Sequence, residues 1–181
     1  MFEIGNRIIY GTNGVCVVKE IRNSPFDPAD SRQFYVLAPV YDTANLTIYT
    51  PVENDRVVMR CMMTPEEAVR LLELAPGIEM VRVEIEKKRR DIYRTIVQSA
   101  DPVSYLSLIK TVAYRRAEFR KTRRRLPDLD NDFEHTARNA LYGELAQVLG
   151  REREEIHEII EKLTEPAAGT AGGKAPKEVT A

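Results

Sequence analysis

The spacing of apolar residues changes near residue 64, and this change constrains the fold more than any other feature of the sequence. Before it, short runs rich in β-branched and aromatic residues alternate with turn-forming Gly, Asn, Asp and Pro, which is the pattern of short strands. Strands are predicted over residues 7–10, 15–22, 34–39, 46–51 and 57–60. Five short strands with one apolar face predict a small curled barrel of the SH3 or Tudor type. An Asn13-Gly14 pair predicts a tight hairpin between the first two strands.

From residue 64 onward the pattern is helical. The segment from Thr64 to Glu67 has the residues of a capping box with proline at the first helical position, and Ala75-Pro76-Gly77 should end that helix. Further helices are predicted beyond Met80, from Asp101-Pro102 onward, and over about 132–149 and 151–163. We therefore expect an α+β chain. It would have a small Tudor/SH3-like β-barrel domain over 1–76, an all-α helical bundle domain over 77–165 and a disordered tail over 166–181.

Charge is unevenly distributed although the net charge is only -1. Residues 81–125 hold fourteen Lys or Arg against five Asp or Glu, whereas the segments on both sides are acidic. Positions 87, 90 and 94 share one helical face, and positions 116, 120 and 123 share another. Two converging basic stripes of this kind favour contact with phosphate groups. The alternative is a solvated helix surface, or cations paired with the acidic third and fourth helices.

No constellation of catalytic or metal-binding residues stands out. The sequence lacks phosphate-binding glycine loops, zinc-protease motifs and serine-hydrolase motifs, so we expect neither an enzyme nor a cofactor. His135 lies in a charged helical stretch and should be a surface residue. The acidic run Asp128, Asp130 and Asp132 lacks the spacing of a calcium loop and should cap the next helix.

Membrane insertion is not expected, because the longest apolar runs are too short to cross a bilayer. The first residues lack the basic and apolar regions of a signal peptide, which favours a cytoplasmic protein. Cys16 and Cys61 show no metal-binding or disulfide spacing and are expected to be buried free thiols.

Several ordered segments carry a resemblance to a known family. The opening from Phe2 to Val15, the strand beginning at Phe34, and the segment Leu46-Thr47-Ile48-Tyr49-Thr50-Pro51-Val52-Glu53-Asn54 all resemble the CarD/CdnL family of bacterial transcription regulators. That family shares its N-terminal module with the transcription-repair coupling factor. Asn6 and Asn13 stand where the family has Asp and His. Further along, 99–101 and 137–146 are similar to landmarks of the family's helical domain, so the resemblance spans about 2–150.

The resemblance implies a non-enzymatic transcription regulator that binds RNA polymerase and contacts promoter DNA. Such a protein would act by stabilising the open promoter complex. Its first domain would bind the polymerase β subunit, by a strand pairing with an exposed strand of the module. The implied polymerase-binding residues are Tyr35, Ile48, Tyr49, Thr50, Pro51 and Arg60. Ile48 could instead fill the barrel core. Free chains are expected to be monomers.

The helical domain would contact promoter DNA, mainly at the phosphate backbone. Many members of the family carry a tryptophan at the start of the first basic helix, but this chain has none, and Ile85 or Glu86 stands near that position. Ile85 could act as a smaller apolar wedge or be a core residue. The candidate DNA-binding residues are Ile85, Lys87, Lys88, Arg89, Arg90, Arg94, Arg116, Arg120, Lys121, Arg123, Arg124 and Arg125. The alternative function is a polymerase-binding or scaffold module whose basic helices pair with protein and never contact DNA.

Overall fold

The N-terminal part of the protein is a five-stranded antiparallel sheet. The structure, a computed structural model, describes residues 1–27, 29–41 and 45–164. The strands are β1 (Arg7–Tyr10), β2 (Val15–Asn23), β3 (Gln33–Pro39), β4 (Ile48–Pro51) and β5 (Met59–Cys61). Their order in the sheet is β4-β3-β2-β1-β5, so β4 and β5 are the outer strands. The five predicted strands are thus confirmed. A closed barrel is not, since β4 and β5 do not pair within the described residues.

The turn between β1 and β2 differs from the expected two-residue hairpin. It is a single 3-10 turn over Gly11–Asn13, followed by Gly14 at a φ of 68°. A side chain at Gly14 would be strained by this left-handed backbone and would also lie 3.2 Å from the Cα atom of Ala140. Glycine therefore serves both the turn and the close packing of the sheet on a helix.

Five α-helices follow the sheet, which confirms the predicted α+β class. They are α1 (Pro65–Leu74), α2 (Arg89–Ser99), α3 (Pro102–Lys121), α4 (Asp128–Leu149) and α5 (Arg153–Thr164), with further 3-10 turns over Ala75–Gly77 and Glu86–Lys88. The capping box of α1 is formed, because Thr64 Oγ1 accepts from Glu67 N at 3.2 Å and Glu67 Oε2 accepts from Thr64 N at 2.8 Å. Asp101 likewise caps α3 by accepting from Ser104 N.

Two helix starts differ from the sequence prediction. Residues 78–85 are not helical, and α2 begins only at Arg89. The helix expected from about Asp132 begins four residues earlier, at Asp128, and its N-cap is Pro127 rather than an aspartate. The acidic side chains Asp128 and Asp130 lie in the first turn of α4, where negative charge complements the helix dipole.

The chain has separate apolar cores in the sheet and in the helices. The sheet core contains Ile8, Cys16, Tyr35 and Leu37, all almost fully buried. The helical core draws on all five helices, including Ala68 and Leu71 of α1. By packing, α1 therefore belongs with the helices, although the predicted boundary at residue 76 lies after it. The domain division remains a prediction.

A third, smaller cluster joins the sheet to the helices. It brings Ile9 and Val15 of the sheet against Ala100, the residue that ends α2. The expected tail over 166–181 lies outside the described residues. None of the helices in the described ranges is long and apolar enough to span a membrane.

Candidate polymerase- and DNA-binding surfaces

The β4 edge is the first candidate surface. We define it as the open side of β4 (Ile48–Pro51), where no further strand pairs within the described residues. On its other side β4 pairs with β3, with Val36 opposite Tyr49 and Tyr35 opposite Thr50. An outer strand of this kind presents main-chain donors and acceptors that another strand can use.

Alternation along the strand shows which groups face outward. The N–H of Val52 donates to Gln33 O at 2.9 Å, so main-chain groups of residues 48 and 50 also face β3. The N–H and C=O of Tyr49 consequently face the open edge, as does the carbonyl of Pro51. The side chains alternate as well: Thr50 is buried, whereas Tyr49 is 39% exposed.

Three aromatic rings form a cluster beside this edge, which we call the aromatic patch: Phe26, Phe34 and Tyr49. Phe26 lies in the connection between β2 and β3 and is 73% exposed. Its ring makes edge-on contacts with Phe34, at 6.1 Å between centroids, and with Tyr49, at 5.8 Å. No sequence signal singled out Phe26, because a lone phenylalanine in a Pro- and Asp-rich loop is not part of an apolar periodicity.

The other residues predicted to bind polymerase are less exposed than Tyr49. Tyr35 and Thr50 are 1% and 2% exposed, and the hydroxyl of Tyr35 accepts from Phe2 N at 2.8 Å. Ile48 packs against the sheet core, as the alternative interpretation expected. Tyr35, Ile48 and Thr50 thus support the edge from inside the sheet, and Pro51 is half-buried on the strand itself.

Arg60 lies at the junction between sheet and helices. Its two terminal nitrogens donate to the two carboxylate oxygens of Glu144, both at 2.7 Å, and its Nε donates to Ala100 O at 2.8 Å. Glu144 is 1% exposed and also accepts from Met63 N. Arg60 therefore joins β5 to α4 and to the α2–α3 turn, and its guanidinium is engaged within the chain.

Close main-chain approach reinforces this junction. Tyr41 Oη donates to Gly143 O at 3.2 Å and accepts from Gln147 Nε2 at 2.9 Å. A Cβ atom at Gly143 would lie 2.8 Å from the Tyr41 ring, so a larger residue would displace that ring. The guanidinium of Arg153 covers the same ring, 4.9 Å from its centroid.

The second candidate surface is the basic end. We define it as the end of the helical bundle formed by the turn Glu86–Lys88, the start of α2 and the end of α3. Some of its cations face inward, onto buried carboxylates of α4. Asp130 is fully buried and accepts from Arg115 Nε at 3.0 Å, while Arg89 Nη1 lies 3.5 Å from it. Arg116 pairs with the buried Glu134.

These buried ion pairs fasten three helices together. Arg89 comes from α2, Arg115 from α3 and Asp130 from α4. Burial, and then the negative charge of Asp130, raise the pKa of Tyr93 to about 12, and its hydroxyl donates to Asp130 at 3.3 Å. Arg89 and Arg116, both predicted to bind DNA, are thus held by internal carboxylates, as the alternative reading of the basic stripes expected.

The remaining cations of the basic end are exposed. Arg94, Lys121 and Arg125 have surface partners three residues away in the chain, which are Asp91, Glu118 and Asp128. Within the described part of the chain, the following have no ion pair: Lys87, Lys88, Arg90, Arg120, Arg123 and Arg124. The turn before α2 and the later part of α3 lie at the same end of the bundle, because Arg115 of α3 reaches both Glu86 and Asp130.

Ile85 stands beside these cations and is 50% exposed. The interpretation of Ile85 as a core residue is therefore wrong.

Cys61 is also exposed, which corrects the expectation that both thiols are buried, whereas Cys16 is fully buried. His135 is exposed on α4, as expected. No cluster of three or more potential metal ligands occurs among the described residues.

A comparison with known protein families covers the five strands of the sheet. Residues 2–62 match the family model of the CarD-like/TRCF RID domain. The chain contains a CarD-like/TRCF RID domain. The match ends just after β5, so the RID domain includes the β4 edge and the aromatic patch, and the helices lie outside it. No curated protein matches the chain.

RID domains are protein-interaction domains rather than catalytic ones, and members of the family interact with the RNA polymerase β subunit. This chain therefore carries a polymerase-interacting domain. In the RID domain of this chain, Tyr49 is the exposed residue of β4, while the basic end lies beyond the matched residues.

Proposed function

We propose that this protein is a bacterial transcription regulator that binds the RNA polymerase β subunit and contacts promoter DNA, acting in the cytoplasm by stabilising the open promoter complex. The RID domain, as a Tudor-like module over 1–76, would make the polymerase contact through the β4 edge. The observation that carries this proposal is the combination of a RID domain with an outer strand, β4, whose open edge presents the main chain of Tyr49.

The DNA contact would come from the helical domain, over 77–165. Its support is the set of exposed cations at the basic end, six of which form no ion pair within the described residues. Contacts of this kind read the phosphate backbone and carry little sequence information. Ile85, exposed next to Lys87 and Lys88, would be the only apolar side chain among the predicted DNA-binding residues.

Stabilisation of the open complex would follow from binding energy alone. A protein that touches both polymerase and DNA shifts the equilibrium towards the promoter state in which both contacts are made together. The junction at Arg60 and Glu144 supports this mechanism, because it fixes the β4 edge relative to the basic end. No chemical step is required.

A second candidate function is a polymerase-binding module that does not contact DNA. It is favoured by Arg89, Arg115 and Arg116, which are engaged by Asp130 and Glu134 and so account for part of the positive charge. The two candidates share the polymerase contact and differ only in the role of the exposed cations.

A salt series with duplex promoter DNA separates the two candidates. We expect the chain to bind with an affinity that falls steeply with salt. The slope of log affinity against log salt should become shallower by about 2–3 in the triple variant Arg120→Ala, Arg123→Ala, Arg124→Ala, because each phosphate contact contributes about 0.9 to that slope.

The matched control removes the same charge elsewhere. Lys19, Arg56 and Arg70 are exposed and lie in the sheet, the loop before β5 and α1. Changing these three to alanine should leave the slope close to that of the wild type. Equal losses in the two triple variants would mean that net charge alone drives binding, and no binding by the wild type would favour the second candidate.

A further inference from the structure

The aromatic patch holds an exposed phenylalanine in a fixed position. Phe26 is 73% exposed, yet its ring contacts both Phe34 and Tyr49. Phe34 is itself 6% exposed, and it lies on the sheet face opposite the core residue Tyr35. Phe26 therefore extends an apolar surface from the sheet towards the open side of β4.

Local hydrogen bonds hold the described residues on either side of Phe26. Ser24 Oγ accepts from Phe26 N at 3.4 Å and from Asp27 N at 3.3 Å, and Ser24 N donates to Arg32 O at 3.1 Å. Arg32 in turn donates through Nε and Nη2 to the carboxylate of Asp30. An apolar side chain that is already ordered loses little conformational entropy when a partner covers it.

The charges near the patch cancel one another. Arg32 is paired with Asp30, and Arg22, which lies opposite Phe34 in the β2–β3 pairing, is close to Glu20 at 3.9 Å. Each arginine therefore has an acidic neighbour. The chemistry that this surface offers is consequently aromatic and apolar.

A strand added to the β4 edge would place a side chain on this surface. Its main chain would bond to the outward N–H and C=O of Tyr49, and the side chain opposite or diagonal to Tyr49 on the same face would come within reach of that ring. Phe26, whose centroid is 5.8 Å from that of Tyr49, lies on that same face.

We infer that Phe26 is a polymerase-binding residue, and that the aromatic patch accepts an aliphatic or aromatic side chain from the β-subunit strand that pairs with β4. The inference rests on the proposed function and adds to it the chemistry of the partner: an extended segment with an apolar side chain at the contact, rather than a carboxylate. Aromatic anchors of this type often account for much of the binding energy of an interface.

The test measures binding of the full chain to purified core RNA polymerase, without DNA, for the wild type and for Phe26→Ala. We expect the substitution to raise Kd about ten-fold, as truncation of an aromatic anchor does. The control is Tyr114→Ala, which removes an aromatic ring that is 44% exposed on α3 and should leave Kd unchanged. Circular dichroism and Tm of Phe26→Ala should match the wild type, because its ring is mostly outside the core.

The outcomes separate the inference from the proposed function. If the wild type binds and the Kd of Phe26→Ala is raised by less than about five-fold, the inference is overturned while the proposed function stands. If the wild type does not bind core polymerase, the proposed function itself fails. The wild-type Kd should also change little between about 0.1 and 0.5 M salt, since apolar contacts are not screened. A ten-fold or greater loss over that range would show that ion pairs dominate and would overturn the inference.

Discussion

Removing Arg60 should destabilise the protein far more than removing a surface arginine with similar contacts. In the wild type, the guanidinium of Arg60 makes two bonds of 2.7 Å to Glu144, one of 2.8 Å to Ala100 O and one of 3.0 Å to Cys61 O. Arg60→Ala deletes all four and leaves the carboxylate of Glu144, 1% exposed, with the main-chain N–H of Met63 as its remaining partner.

The expected cost follows from burial. Breaking a buried ion pair by removing one partner costs about 3–5 kcal/mol, because the other charge stays buried without compensation. The side chain of Arg60 is 26% exposed, and water can therefore reach part of the vacated space. We expect a loss at the lower end of that range, about 3 kcal/mol, which is a urea midpoint lower by about 1–3 M at an ordinary denaturant slope.

The assay is urea unfolding followed by circular dichroism, with two comparison variants. Arg32→Ala removes an equally bidentate pair with Asp30, but on the surface, and should leave the midpoint unchanged. The double variant Arg60→Ala, Glu144→Gln removes the uncompensated charge and should be more stable than Arg60→Ala alone. A midpoint for Arg60→Ala equal to that of Arg32→Ala, or a double variant less stable than the single, would refute the reasoning.

The other predictions concern the basic end and the two thiols. Asp130→Ala should lower the free energy of unfolding by about 3 kcal/mol or more in urea unfolding, because it leaves Arg89 and Arg115 without their buried carboxylate; an unchanged midpoint would contradict this. A thiol reagent at pH 8 should label Cys61 but not Cys16 in the native chain, and both after denaturation, since burial raises the pKa of Cys16 from 9.0 to about 12. Between pH 9 and about 12 the folded state keeps the thiol proton that the unfolded chain loses. The contribution of Cys16 to stability is therefore complete below pH 9 and declines as pH rises towards 12. Urea midpoints measured across that range would detect the decline.

Local sequence signals predicted the strands and two of the helix caps. Bursts of β-branched residues located all five strands to within about two residues, and the Thr64 and Asp101 caps are formed as expected. These features depend on neighbours in the chain. The start of α2 was harder to predict, because Ile78, Val81 and Val83 pack against the helical core although their segment is not helical.

The parts of the site that the sequence missed depend on contacts between distant residues. Glu144 is 84 residues from Arg60, and Asp130 is 41 residues from Arg89. A basic run does not reveal which of its cations will meet a buried carboxylate, so Arg89 and the exposed Arg90 are indistinguishable until the helices are packed. Phe26 likewise gains its place only when the sheet brings it beside Tyr49.

The central claim is that the β4 edge of the RID domain pairs with a strand of the polymerase β subunit. Amide hydrogen exchange at Tyr49 tests it directly, because the N–H of that residue faces the open edge in the free chain. With saturating β subunit, exchange at Tyr49 should slow by about ten-fold or more, as for an amide taken into a sheet. Binding of the β subunit with unchanged exchange at Tyr49 would contradict the account.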